Sequence, residues 1–88
     1  MKKNADSEIT LKIKSLLARN GLSFAEYGRI INVLPQTMNK KRIIDSYKVN
    51  ELILLAKATN THLCFVDKEN NVVLELKEDD IKKSSGQV

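Results

Sequence analysis

Apolar residues recur at helical spacing through most of this chain and change to a two-residue alternation near its end. Ile9, Ile13, Leu16 and Leu17 make one stripe, Ser7 suits an N-cap, and Asn20-Gly21 stops the pattern, so a helix is predicted from Ser7 to about Arg19. A second is predicted over 23–31 and a third over 35–43, where Pro35 at the first helical position forfeits no hydrogen bond. Asp45 to Tyr47 reads as a turn. Val49, Leu52, Ile53, Leu55 and Ala56 then return at helical period from Lys48 to about Thr59, uninterrupted by Gly or Pro, and this fourth helix is expected to close the helical core. Past Asn60 the period switches. Thr61 to Val66 is rich in β-branched and apolar residues, Asp67 to Asn71 is turn chemistry, and Val72 to Lys77 alternates, which predicts a β-hairpin.

The junction between the second and third helices carries the most specific local signal. Two helices joined by a few residues need one residue at positive φ and one small residue where their axes approach. Asn32 suits the first need, because its short amide tolerates the left-handed region better than most side chains. Gly28 suits the second, since a glycine inside a helix costs about 1 kcal/mol relative to alanine and asks for a compensating close contact. Tyr27, Ile31, Val33 and Met38 are then spaced to fill the wedge between the helices. Glu26, Arg29, Gln36, Thr37, Asn39, Lys40 and Lys41 are left facing outward, a polar set whose charges are mostly basic. Such a pattern reads as a helix-turn-helix and points to DNA.

Over roughly residues 9 to 77 the chain resembles the lambda-repressor-like, Xre-type helix-turn-helix proteins of bacteria, phages and mobile elements. The resemblance is carried by the first amphipathic helix, the Gly21-Leu22-Ser23 run, PQTMNKK at 35–41, and Asp45-Ser46-Tyr47 leading into a further helix. It is nearest to small single-domain members that follow the helices with a hairpin. Three positions depart from the pattern: Phe24 stands for the usual glutamine, Leu34 for a capping Ser or Thr, and Asn32 for glycine. The resemblance implies a mainly α fold, a four- to five-helix domain over 7–60 followed by a β-hairpin over 61–77. Residues 1–6 are expected to be a disordered start and 78–88 a polar tail. The function it implies is that of a sequence-specific DNA-binding transcriptional regulator, a dimeric repressor on an inverted-repeat operator.

Composition narrows the alternatives. Eighty-eight residues make one small domain, and a chain of this size buries only about 60–65% of its unfolded surface, so a partner copy would add stability. No apolar run approaches the roughly 20 residues that span a bilayer, and Met1 to Ser7 lacks a secretory pattern. With the single Cys64, these features give an expected cytoplasmic location and no membrane partner. Residues 1–50 hold ten Lys/Arg against four Asp/Glu, whereas 51–88 hold five against seven, so the half with the proposed recognition helix is the basic one.

The candidate DNA-binding residues are Ser23, Gln36, Thr37, Asn39, Lys40, Lys41 and Arg42. Gln36 and Thr37, near the start of the third helix, are assigned to base edges: glutamine can pair bidentately with adenine, and threonine can offer a methyl to thymine. Lys40 can reach guanine or a phosphate, and Lys41 and Arg42 are expected to grip the backbone. Ser23, capping the second helix, is expected to help hold a phosphate. Leu63, Phe65, Val72, Leu74 and Leu76 are the expected dimerisation residues of a homodimer, because a lone hairpin is marginal and its edges are unpaired. His62 and Cys64 fall two apart on a strand, too few for a closed zinc site, so neither catalysis, metal nor cofactor is expected. An alternative keeps the fold and changes the target: Phe24 and Leu34 favour a phage or mobile-element protein that binds a protein partner, such as a toxin or a defence nuclease.

Overall fold

The computed structural model describes residues 5–81, a small, mainly helical chain of four α-helices and one antiparallel hairpin. Two compact units divide between Lys48 and Val49. The fourth helix therefore groups with the hairpin rather than with the three helices before it.

In the first unit, α1 spans Glu8–Arg19, α2 Phe24–Ile30 and α3 Pro35–Ile44. Ser7 caps α1 as expected, its Oγ accepting from the Thr10 amide at 3.1 Å. The buried stripe of α1 is Thr10, Ile13 and Leu17, one position away from the expected one: Ile9 lies half in solvent, and Thr10 takes its place. The reason is polar. Thr10 Oγ1 shares a 2.5 Å hydrogen bond with the Tyr47 hydroxyl, so this threonine is satisfied in the core. The Ser7 amide donates to the Arg42 carbonyl at 2.8 Å and the Ser7 hydroxyl donates to Asp45, which ties the start of α1 to the end of α3.

Each helix stops at a residue of positive φ. Gly21 ends α1 at φ 71°, with Leu22 N–H reaching Leu17 O at 3.0 Å. Asn32 ends α2 at φ 60°, with Val33 N–H donating to Gly28 O at 2.9 Å and its own N–H to Arg29 O at 3.1 Å. That double bond pattern is a Schellman motif with asparagine in glycine's usual place. Gly28 is buried, and a Cβ built there would stand 2.9 Å from Met38 Cγ, so the glycine is what lets α3 approach. Tyr27, Leu17, Ile13, Ile31 and Met38 make the core of this unit.

In the second unit, α4 spans Val49–Ala58, β1 Leu63–Val66 and β2 Val72–Leu76, followed by a 3-10 turn at Glu78–Asp80. Leu63 pairs with Leu76, Cys64 with Glu75, Phe65 with Leu74 and Val66 with Val72; the register slips after Phe65, leaving Val73 as an extra residue. Asp67 organises the turn: its Oδ1 accepts the Glu69 and Asn71 amides, both at 2.9 Å. The Asn71 bond holds the Asp67 carboxyl below its ordinary value. Thr61 and His62 precede the strand rather than belonging to it. Glu78 joins Lys57 of α4 by an ion pair at 2.9 Å, so the segment expected to begin a loose tail is ordered through Ile81; residues 82–88 lie outside the described range, as do 1–4. No helix among the described residues is long and apolar enough to cross a membrane.

Candidate nucleic-acid interface

The outward surface of α2 and α3 is built by their caps. Ser23 and Glu26 form a capping box: the Glu26 amide donates to Ser23 Oγ at 3.0 Å, and the Ser23 amide donates to Glu26 Oε1 at 2.7 Å. The Ser23 bonds keep the Glu26 carboxyl charged to a lower pH than usual. Ser23 is thus engaged in its helix, exposed, and beside a carboxylate that repels anions. Leu34, the N-cap of α3, offers no side-chain bond and is 68% exposed.

Along α3 the candidate residues separate into two groups. Gln36, Thr37 and Lys40 are exposed, as a reading face requires. Lys41 is not: only 4% of it is accessible, and its ammonium donates to the Ser46 carbonyl at 2.8 Å. The helical period explains this correction, since Lys41 follows buried Met38 by three positions and shares its inward face. Its long stem packs while its charge closes the turn after α3.

Arg42 is also committed within the protein. Its Nη1 meets Asp6 Oδ1 at 3.0 Å and its Nε donates to Asn39 Oδ1 at 2.7 Å. Asp6 simultaneously holds Lys14 at 2.6 Å, and chiefly that bond, seconded by Arg42, keeps the Asp6 carboxyl below its ordinary 3.8. Asn39 and Arg42 therefore brace each other, and Arg42 shares its guanidinium with Asp6 and Asn39 within the protein.

Between α2 and α3 lies an open groove of about 230 Å³, with Phe24, Val33, Pro35 and Met38 on its floor and Arg29 and Arg42 as its charged lining. Phe24 is held rather than loose: its ring meets Tyr27 edge-on at 6.2 Å between centroids, and Lys14 Nζ stands 5.2 Å above it. Arg29, exposed at the end of α2, adds a cation to this surface. Asp6 was missed altogether, because its partners lie 8 and 36 residues away.

In the second unit, the residues expected to dimerise divide by position. Leu63 and Leu76, at the open end of the hairpin, are half-buried and line a hollow with Ile53 and Ala56 of α4. Phe65, Val72 and Leu74, toward the turn, are exposed at 60%, 60% and 50%. His62 Nδ1 lies 2.7 Å from Glu75 Oε2 on the opposite strand, and Cys64 is a half-buried free thiol. No group of three or more potential metal ligands occurs among the described residues.

No family model, curated protein or solved structure matches this chain.

Proposed function

We propose that this protein is a sequence-specific, double-stranded-DNA-binding regulator of the lambda-repressor-like, Xre helix-turn-helix kind, acting as a dimeric repressor on an inverted-repeat operator. The observation that carries the reading is the exposed Gln36, Thr37 and Lys40 face of α3, held against α2 by the Asn32 turn and the Gly28–Met38 contact. Gln36 and Thr37 read base edges in the major groove, and Lys40 reaches a base or a phosphate. Arg29 joins Lys40 as a phosphate contact. Lys41 and Arg42 act from behind, one closing the turn after α3 and the other bracing Asn39. With few outward cations on α3, affinity depends less steeply on salt than the run KKR suggests, because each phosphate contact contributes about 0.9 to the logarithmic slope. Titration of labelled duplex at several salt concentrations tests this: Lys40→Ala lowers the slope, and an unchanged slope removes Lys40 from the interface.

A second reading is favoured by the apolar floor of the α2–α3 groove and by exposed Leu34, which suit a protein partner, such as a toxin or a defence nuclease, better than a duplex. Recovery of one stoichiometric protein on the immobilised chain, without retention of DNA, decides for it.

A further inference from the structure

Gly21 ends α1, and the residue before it is an asparagine. Of the asparagines in the chain, Asn20 alone precedes a glycine, which has no Cβ to keep its nitrogen away from the neighbouring side chain. Such pairs lose the side-chain amide most readily, by attack of the following backbone nitrogen. Both residues are exposed, so solvent reaches them. The fold nevertheless engages both nitrogens that the reaction uses. The Gly21 N–H donates to Ala18 O at 3.1 Å, and Asn20 Nδ2 donates to Leu16 O at 3.1 Å. The Asn20 N–H donates to Leu17 O at 2.9 Å and the Leu22 N–H to the same carbonyl at 3.0 Å, so the turn is held on both sides of the pair.

We propose that Asn20-Gly21 is a deamidation site kept closed by the cap of α1, and that modification there marks chains which have opened at this turn. In the open chain the Gly21 amide proton passes to solvent base and its nitrogen bonds to Asn20 Cγ. The Cγ–Nδ2 bond breaks, Nδ2 leaves as ammonia after taking a proton, and a succinimide remains. Water then opens that ring at either carbonyl, giving aspartate or isoaspartate with no change of oxidation state. Ring closure requires the Gly21 nitrogen to give up Ala18 O and the Asn20 amide to turn from Leu16 O. The closed cap opposes both movements. Either product in turn weakens the cap. The donor to Leu16 O is gone, and a carboxylate stands beside the last carbonyls of α1, where the helix dipole favours a cation such as Arg19. Isoaspartate also lengthens the main chain ahead of Gly21, out of step with the bond from Leu22 to Leu17. A chain modified once is therefore less able to close again.

Incubation of the full chain at mildly alkaline pH, once in buffer and once in guanidinium chloride, tests this, with amide loss located by peptide mass spectrometry. In denaturant, loss is expected to be fastest at Asn20, with isoaspartate among the products. In buffer it should be slower by at least about tenfold, since reaction then waits on opening of the cap. Leu17→Ala, which empties the core beneath this turn, should raise the rate in buffer towards that of the denatured chain. Asn20→Asp, made directly, should lower the urea midpoint. Equal rates in buffer and denaturant overturn the protection by the cap, and faster loss at another asparagine in denaturant overturns the site. An unchanged midpoint in Asn20→Asp overturns the weakening of the cap by the aspartate product.

Discussion

The two units differ in where they expose their apolar residues. In the first, Leu17, Tyr27 and Met38 are buried at a three-helix junction, and the exposed apolar residues Ile9, Leu11, Ile30, Leu34 and Ile44 are spread over three helices and a turn; in the second, Ile53 and Leu55 of α4 are buried, and five exposed large apolar side chains gather in the four-residue and five-residue strands near their turn. Among the described residues, none covers the hairpin's apolar end. The contrast teaches that burial, more than residue type, distinguishes the two units: apolar residues are scattered over the surface of the first and concentrated on the hairpin of the second.

The sharpest way to break the contrast is to cut into the first core. Leu17→Ala removes a fully buried side chain and should cost about 2–5 kcal/mol, which in a domain this small leaves little folded protein. Leu74→Ser, in the exposed hairpin end, should change monomer stability by no more than about 0.5 kcal/mol. Urea melts at low protein concentration compare the two, and equal losses would erase the distinction.

Gly28→Ala comes next. The added methyl collides with Met38 Cγ, so overpacking of about 1–3 kcal/mol outweighs the helix-propensity gain of about 1 kcal/mol. Asn32→Gly should be tolerated or mildly stabilising, because glycine adopts positive φ without strain, whereas Asn32→Val should be destabilising. If Gly28→Ala raised the midpoint, α2 and α3 would not be packed at this distance.

Smaller still is the response to acid. Asp6 in the first unit and Asp67 in the hairpin both have carboxyls held below their ordinary 3.8 by hydrogen bonds made in the folded state. Folding therefore keeps their full contribution above that value and loses it as pH falls through the lower folded values. Asp6→Asn should flatten the stability curve below about pH 4, by under about 1 kcal/mol since the cluster is only partly shielded. A stability profile whose acid limb is the same in the variant would remove the Asp6 clamp from the account.

Much of this architecture can be read along the chain. Pro35, the Asn20-Gly21 stop and the Gly28/Asn32 pair announce helix ends and a close approach because each acts through local backbone geometry. The period switch after Asn60 announces the hairpin for the same reason. What cannot be read is non-local. Thr10 replaces Ile9 in the core only because Tyr47 supplies a hydrogen bond 37 residues on, and Arg42 is tied to Asp6, which returns from the far end of the unit. Lys41 is different: three residues after Met38, its inward position follows from helical period, but the cluster of three cations disguises it. At the candidate interface, Gln36, Thr37 and Lys40 retain the exposure expected of them, whereas Lys41 is buried and Ser23 and Arg42 make bonds within the protein.

The most direct measurement is selection of bound duplexes from a random DNA pool with the purified full chain. The account predicts enrichment of an inverted repeat whose half-site centres lie about 34 Å apart or a multiple of it, with preference at specific base pairs altered by Gln36→Ala and Thr37→Ala. Recovery of no enriched sequence, with unselected duplex left unbound at low salt, would contradict it.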